Sequence, residues 1–137
     1  MRGDHAPLAE LDACCEQHQG DYPEGIVTIV DDSHGIGAFG ATGRGIEEVT
    51  GTRADVLIGT LGKAFGTFGA FVAGSEDLVE TLVQQARSYI YTTAMPAAVA
   101  VASLAALAIL RQDAWRRERL QSHVARFRRG AEQLGYV

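Results

Sequence analysis

The sequence predicts an α/β fold built on a mainly parallel sheet flanked by helices. The first observation is a pair of short, continuous apolar runs, at residues 26–30 and 56–58, that are rich in β-branched residues. Runs of this kind are typical of strands covered on both faces. The second observation is that segments with a helical spacing of apolar residues alternate with these runs. Strands that alternate with helices favour a parallel sheet with helices packed against it.

Four segments are predicted to be helical. The first begins at Pro7, whose fixed φ suits a helix start, and the second at Ser75, a preferred capping residue. The last two include a nearly all-apolar helix that needs cover on several sides, so the chain is expected to belong to a larger body or a tight oligomer. The predicted helices cover residues 7–18, 75–88, 96–110 and 115–134, a third strand covers 69–73, and a β-prone segment covers 89–93.

The composition is that of an ordinary globular domain. The chain has 137 residues, a length typical of one domain, and a formal net charge of −5. This acidic balance argues against a general nucleic-acid binder. Neither a long apolar run nor an apolar N-terminal segment is present, so we expect no membrane span, no signal peptide and a cytoplasmic location. The only cysteines, Cys14 and Cys15, are adjacent, so no disulfide framework is expected.

Basic residues are concentrated at the end of the chain. Residues 111–137 contain seven arginines against three acidic residues. Leu120, Val124 and Phe127 fall on one face of the helix predicted there. We therefore interpret the arginines as the solvated face of an amphipathic helix, with contact to a membrane or to RNA as the alternative.

Polar residues follow the first predicted strand directly: Asp31, Asp32, Ser33 and His34. In open α/β sheets, ligands bind beyond the carboxyl ends of the strands. A carboxylate and an imidazole at such a place can bind a metal ion, act as acid and base, or hold a cofactor ring. The structural alternative is that Asp32 and Ser33 are cap and turn residues.

Two glycine-rich strings look like nucleotide-binding loops but lack the required features. Gly35, Gly37 and Gly40 match the dinucleotide spacing, yet polar residues separate them from the strand and no helix follows. The string at 59–64 lacks the first glycine of a phosphate loop, and Ala64 stands where that loop requires Ser or Thr. We interpret the first string as a loop packed closely against other backbone.

Lys63 is the only lysine and lies between glycines near the end of the second strand. Its small neighbours favour loss of solvation, which frees an amine to act as a nucleophile. A covalent bond to an aldehyde cofactor such as pyridoxal 5'-phosphate (PLP) fits this chemistry. PLP also needs an anion at its pyridine nitrogen, a donor near its phenolic oxygen and donors for its phosphate. Asp31, His34 and Thr60 offer one of each.

The sequence resembles the α-oxoamine synthases, PLP-dependent enzymes with the type I aminotransferase fold. Five ordered motifs carry the resemblance over essentially the whole chain. They are Gly3-Asp4-x-Ala6-Pro7-Leu8, Val30-Asp31-Asp32-Ser33-His34-Gly35-x-Gly37, Gly43-Arg44-Gly45, Gly59-Thr60-Leu61-Gly62-Lys63-Ala64-Phe65-Gly66 and Tyr89-Ile90-Tyr91-Thr92-Thr93-x-Met95-Pro96.

The resemblance implies a role for each matching residue. Asp31 would keep the pyridine nitrogen of PLP protonated, and His34 would hydrogen-bond its phenolic oxygen. Lys63 would hold the cofactor covalently and later move protons at the substrate α-carbon. Thr60 would bind the phosphate group.

The resemblance also implies partners and substrates. Thr92 and Thr93 match a pair that reaches the phosphate of the neighbouring subunit, so a homodimer with its site at the interface is expected. The substrates would be an amino acid and an acyl-CoA or acyl-ACP thioester, joined in a decarboxylative condensation. No metal ion, nucleic acid or membrane is expected to take part.

Two branches of the family fit the sequence. One condenses a pimeloyl thioester with L-alanine in biotin synthesis, and the other condenses glycine with acetyl-CoA. The 29-residue interval from His34 to Lys63 and the string at 91–96 favour the first branch. The strings at 31–34 and 59–64 also suit the second, so both stay open.

A complete member of the family is much longer than this chain. Residues 1–137 are therefore expected to form part of the large PLP-binding domain and to enter the C-terminal domain after about residue 112. The phosphate cup and the carboxylate-binding arginine would lie elsewhere, so we expect little or no turnover from this chain alone. Two other functions stay open: a non-catalytic remnant or dimerisation partner, and a metal or nucleotide binder using Asp31, Asp32 and His34.

Overall fold

The computed structural model describes residues 4–136, in which helices surround one small sheet. The predicted α/β class is confirmed. The helices are α1 (Leu8–His18), α2 (Ile46–Thr50), α3 (Glu76–Gln85), α4 (Arg87–Ile90), α5 (Ala97–Gln112) and α6 (Ala114–Gln133), and the strands are β1 (Ile29–Asp31), β2 (Val56–Thr60) and β3 (Ala70–Ala73). A short 3-10 turn, Gln19–Asp21, follows α1.

The three strands form one mixed sheet in the order β1-β2-β3. β1 pairs with β2 in parallel and places Asp31 opposite Ile58, whereas β2 pairs with β3 antiparallel and places Thr60 opposite Ala70. The sequence analysis expected a mainly parallel sheet. β3 runs antiparallel because its connection to β2 is the short segment 61–69, and a parallel return needs a crossover of about a dozen residues or more.

Local sequence signals fixed most helices. The Ser75 hydroxyl accepts the Leu78 N–H at 3.2 Å and starts α3, as predicted. The β-prone segment at 89–93 was predicted wrongly, because it overlaps helix α4 and the turn that follows. Helical hydrogen bonds from the Ile90 N–H to the Ala86 carbonyl at 2.9 Å satisfy this backbone locally.

The hydrophobic core is small and lies between α1, α2 and β2. Its buried apolar residues are Leu8, Ile46 and Val56. β1 was expected to be covered on both faces, yet Ile29 is 65% exposed. The nearly all-apolar helix was predicted to need other protein packed around it. It corresponds to α5, which has no buried residue and leaves Leu104 67% exposed.

The basic helix α6 differs from its predicted form at one position. Arg117 is buried at 8% exposure, so it is not part of a solvated face. Its Nη2 donates to the Ala41 carbonyl at 2.9 Å, and its Nη1 donates to the Leu110 carbonyl at 2.6 Å. A cation at the last carbonyls of α5 is favourable because the helix C-terminus carries partial negative charge. Arg117 thus joins α5, α6 and the glycine-rich loop.

Helices α5 and α6 meet at Asp113 with a bend of 74°. Between residues 4 and 136, no helix is by itself long and apolar enough to cross a membrane. The two helices satisfy that criterion only when they are taken together across the bend, on length and composition alone.

Candidate active site at the carboxyl edge of the sheet

The parallel pair β1 and β2 brings two sequence motifs to one edge of the sheet. β1 ends at Asp31 and β2 ends at Thr60, two residues beyond the partner of Asp31. The turn that carries His34 leaves β1 at this edge, and the hairpin that carries Lys63 leaves β2 there. The backbone therefore collects these four predicted site residues at the carboxyl ends of adjacent strands.

The Asp31 carboxylate is the electrostatic centre of this edge. Its Oδ1 accepts the Ser33 N–H at 3.0 Å. Hydrogen bonds from Ser33 lower the pKa of Asp31 most, and Lys63 and His34 lower it by smaller amounts. Asp31 is therefore an anion at neutral pH.

A cavity of about 520 Å³ opens beside this carboxylate. Its lining residues include Asp31, His34, His5 and Phe39. Lys63 is not among its lining residues, although the sequence analysis expected all three side chains to converge on one cavity. Within the described chain, the lysine stands at the same sheet edge on the neighbouring hairpin.

The hairpin that carries Lys63 is held by its own backbone. The Leu61 N–H donates to the Gly69 carbonyl at 2.8 Å, and the Thr67 N–H returns to the Leu61 carbonyl at 2.8 Å. Lys63 is exposed at the turn. The expected loss of solvation is therefore wrong for this chain, because the small neighbours fold the loop without covering the amine.

Thr60 links the hairpin to the strand. Its half-buried hydroxyl donates to the Gly69 carbonyl at 3.1 Å and accepts the Gly62 N–H at 3.2 Å. The Gly62 amide and this hydroxyl lie side by side just after β2. They form a small polar group next to the lysine loop.

The glycine-rich loop is packed against other parts of the chain, as the structural interpretation expected. A Cβ at Gly37 would stand 2.6 Å from the Ala64 side chain, next to the lysine. No helix starts among these glycines; the next one, α2, begins at Ile46. This agrees with the sequence analysis, in which the string lacks the features of a dinucleotide-binding loop. The loop is a spacer that fits closely against the lysine hairpin and α5.

Two residues that the sequence analysis passed over hold this loop in place. Glu48 accepts the Thr42 N–H at 2.9 Å and the Arg44 N–H at 3.0 Å. These backbone hydrogen bonds lower the pKa of Glu48. Arg117 grips the same loop from the other side at Ala41. An acidic residue three places after Gly45 was the only local signal available.

Thr92 and Thr93 are exposed between α4 and α5. They do not line the cavity that Asp31 and His34 share. Met95, in the same segment, reaches the hairpin, since its Cε would lie 2.8 Å from a Cβ at Gly69. The two threonines thus belong to a segment that contacts the lysine hairpin. Gly3 of the first motif lies outside the described residues.

A metal centre is not supported by this geometry. Among residues 4–136, no three His, Cys, Asp or Glu side chains are grouped so that they could hold a metal ion. Asp32 in particular points to backbone amides, with the Ile46 N–H donating to its Oδ2 at 2.7 Å. The ligand set suggested by Asp31, Asp32 and His34 is therefore not assembled.

Comparison with known proteins decides the family. The family described as aminotransferase class I and II matches residues 1–137, the whole chain. The chain belongs to the aminotransferase class I and II family. The family resemblance identified from the motifs is consistent with this result.

Curated relatives within this aminotransferase family are highly similar. The chain is 56% identical over 138 aligned residues to an 8-amino-7-oxononanoate synthase of Thioalkalivibrio sulfidiphilus, covering 98% of this chain and 34% of the relative. It is 53% identical to the enzyme of the same name from Alcanivorax borkumensis, covering 100% of this chain and 34% of that relative. The chain thus spans about a third of the length of these relatives.

Solved structures of the family share the fold. Serine palmitoyltransferase of Sphingomonas wittichii matches with a TM-score of 0.89 and 32% identity, over 100% of this chain and 33% of that chain. A serine palmitoyltransferase from S. paucimobilis, solved with a bound PLP–myriocin adduct, matches with a TM-score of 0.88 and 31% identity, over 100% and 34%. An 8-amino-7-oxononanoate synthase of Francisella tularensis matches at 0.73 and 35%, over 90% and 36%.

Proposed function

We propose that this aminotransferase-family chain carries the PLP-binding edge of an acyltransferase of the 8-amino-7-oxononanoate synthase type. The observation that supports it most is the meeting of Asp31, His34 and Lys63 at one sheet edge, where Asp31 and His34 line the same cavity and Lys63 stands on the neighbouring hairpin. The 51–57% identity to relatives of that name supports the same proposal. The activity, substrates and partners of a whole enzyme are part of this proposal.

The residues present fit the chemistry of PLP. Asp31 is an anion at neutral pH, which suits contact with a protonated pyridine nitrogen. Lys63 offers an exposed primary amine on a loop, free to react with an aldehyde. The Thr60 hydroxyl and the adjacent Gly62 amide offer donors for a phosphate group, once the hydroxyl leaves the Gly69 carbonyl. His34 lines the same cavity as Asp31 and is assigned to the phenolic oxygen.

Each side chain then has a task in the reaction. When bound, PLP acts as an electron sink that stabilises negative charge at the α-carbon of an attached amino acid. Asp31 keeps that sink effective by holding a proton at the pyridine nitrogen. Lys63 binds the cofactor and moves a proton at the substrate α-carbon. His34 orients the cofactor ring by donating a hydrogen bond to its phenolic oxygen.

The substrates proposed are an amino acid and an acyl thioester. By analogy with the named relatives, these are L-alanine and pimeloyl-CoA or pimeloyl-ACP, joined with loss of carbon dioxide on the route to biotin. The alternative is glycine C-acetyltransferase, which would use glycine and acetyl-CoA. The strings at 31–34 and 59–64 keep that alternative open.

A homodimer is the proposed working form, in the cytoplasm. Thr92 and Thr93 are assigned to the phosphate of the partner's cofactor, which agrees with their exposure and with their absence from the lining of the Asp31 cavity. We further propose that residues up to about 112 belong to the large domain and that α6 enters the C-terminal domain. The 74° bend between α5 and α6 supports that boundary.

The experiment is to add PLP to the purified chain and follow absorbance near the visible. We expect a band from a covalent lysine adduct, which borohydride reduction fixes and peptide mass mapping assigns to Lys63. Lys63→Ala should lose the band, whereas Arg53→Ala, an exposed control just before β2, should keep it. Label found on the N-terminal amine alone contradicts the proposal, and absence of any band favours a non-catalytic remnant.

A second measurement separates the substrates. The PLP-loaded chain is titrated with L-alanine and with glycine, and the shift of the band is recorded for each. A larger response to L-alanine supports the 8-amino-7-oxononanoate synthase assignment. A response to glycine alone supports the acetyltransferase instead.

A further inference from the structure

Asp32 stands between the two residues assigned to the cofactor ring, and its N–H, its carbonyl and its side chain all form hydrogen bonds within the chain. Its N–H donates to the Ile58 carbonyl at 2.9 Å and extends the pairing of β1 with β2. Its carbonyl accepts the N–H groups of Gly35 and Ile36, at 3.0 and 3.1 Å. The residue therefore joins the sheet to the turn that carries His34.

The side chain of Asp32 adds a third link. Its Oδ2 accepts the Ile46 N–H at 2.7 Å, at the start of α2. The carboxylate is 7% exposed, and it fills a slot that two glycines leave open. A Cβ on Gly35 or on Gly45 would overlap the carboxylate oxygens. Both positions are glycine in this sequence, which leaves room for the planar carboxylate of Asp32.

We propose that Asp32 is a positioning residue for the candidate site, locking the turn between β1 and α2 so that the Asp31 and His34 side chains both face the cavity. The turn has no other side-chain link of this kind between β1 and α2 in the described chain. Ser33, by contrast, is bound to Asp31 itself through its N–H at 3.0 Å. This inference rests on the proposed function for the roles of Asp31 and His34.

The carboxyl group of Asp32 is buried where its charged form is disfavoured. Burial raises the pKa of its carboxyl group, and the N–H groups of Ile46 and Gly35 only partly offset this. A buried acid held at such a site is costly unless its hydrogen bonds are useful. Asparagine has the same shape and can still accept the Ile46 N–H, but it brings a donor towards the Gly35 N–H.

Glu48 provides the matched control. It binds the same loop with a carboxylate, at Thr42 and Arg44, but lies away from the turn of His34. If any hydrogen-bonded carboxylate that holds the glycine loop is enough, removal of Glu48 and removal of Asp32 will affect the site equally. If Asp32 positions the site, the two variants will differ.

The test compares Asp32→Ala, Asp32→Asn and Glu48→Ala by NMR hydrogen exchange on the whole chain, without cofactor. In Asp32→Ala, exchange at Ile46 should quicken roughly ten- to hundredfold, as expected for a lost hydrogen bond to a charged group. Gly35 and Ile36 keep their bonds to the Asp32 carbonyl, so exchange at these two amides should quicken only because the turn itself loosens. The His34 ring resonance should also move. Asp32→Asn should recover part of the protection. Glu48→Ala should change these two amides less than about twofold while freeing Thr42 and Arg44.

A PLP titration adds the functional readout. Asp32→Ala should weaken PLP binding at least tenfold relative to Glu48→Ala, and Asp32→Asn should fall between them. Equal effects of Asp32→Ala and Glu48→Ala on Gly35, Ile36 and His34 overturn the inference. If the unaltered chain binds no PLP, the proposed function fails, while the exchange data still decide whether Asp32 positions His34.

Discussion

The two segments that carry the candidate site are held in different ways. The first, residues 31–48, includes the glycine loop and is tied down by three buried or half-buried side chains, two of its own and one from α6. Asp32 fixes its start, Glu48 fixes its middle, and Arg117 reaches it from α6, 76 residues beyond Ala41. The second, the hairpin 61–69, holds itself with backbone hydrogen bonds and leaves Lys63 exposed.

This difference suits the tasks proposed for each segment. Residues that orient a cofactor ring need a fixed direction. Asp31 ends β1 and His34 lies in the hydrogen-bonded turn that follows, so both have little freedom. An amine that forms and breaks a covalent bond needs to move. Lys63 stands on a loop, and its side chain is exposed there. The effects of a substitution in the first segment should therefore reach other parts of the chain, and the effects of one in the second should stay within the hairpin.

Matched glycine substitutions should give the largest contrast. Gly45 and Gly66 both have positive φ, 80° and 64°, but a Cβ at Gly45 would overlap Asp32 whereas one at Gly66 meets nothing within 4 Å. Gly66→Ala should cost about 1–2 kcal/mol from backbone strain alone. Gly45→Ala should cost about 3 kcal/mol or more, because a buried hydrogen bond is lost as well. Urea unfolding measures both, and equal losses would refute the difference between the segments.

Arg117 offers the second largest effect. Arg117→Met keeps the packing of the stem but removes the donors to Ala41 and Leu110, and should cost about 2–3 kcal/mol of unfolding free energy. Arg116→Met is the control, since its exposed pair with Asp113 should be worth less than about 1 kcal/mol. Thermal and urea unfolding report the values. A cost for Arg117 no larger than for Arg116 would show that the loop does not depend on α6.

The sequence predicts the residues of the site better than it predicts the contacts and strand directions of the fold. Asp31, His34 and Lys63 could be found because polar residues after buried strands, and a lone lysine among glycines, are local patterns. The direction of β3 depends on the hydrogen bonding of the hairpin, which the apolar run at 69–73 does not record. The turn role of Asp32 was considered, but its contact with Ile46 depends on the path of the loop between them.

The contact that Arg117 makes with the first segment is long-range, and no local pattern marks it. Arg117 looked like one arginine among seven in a basic tail, and only its contact with Ala41 distinguishes it. The exposure of Lys63 was also beyond prediction, since small neighbours suggest crowding but do not provide cover. α5 is the exception: its apolar composition alone indicated a helix that needs a partner surface.

A local substitution in the hairpin should have a smaller effect. The Thr67 hydroxyl donates to the Leu61 carbonyl at 3.1 Å and lies 2.9 Å from the Ser103 hydroxyl of α5. Thr67→Val should cost about 1 kcal/mol, the net value of a neutral hydrogen bond. Hydrogen exchange should quicken at Leu61 and Thr67 and stay unchanged at Gly35. Loss of protection at Gly35 would mean that the hairpin and the glycine loop are coupled.

The smallest effect should appear only in acid and concerns Glu48. Hydrogen bonds from the Thr42 and Arg44 N–H groups lower the pKa of Glu48 in the folded chain from its ordinary value near 4.5. A carboxyl group with a lowered folded pKa stabilises the fold above its unfolded pKa, and this contribution is lost as the pH falls through the folded pKa. Asp32 acts in the opposite direction, because its pKa is raised.

Glu48→Gln should therefore make the decline of stability below about pH 4.5 shallower than in the unaltered chain. Urea unfolding between pH 3 and 7 measures the slope, with Glu80→Gln on the exposed face of α3 as the control. An unchanged slope in Glu48→Gln would mean that the first segment is fastened by Asp32 and Arg117 alone.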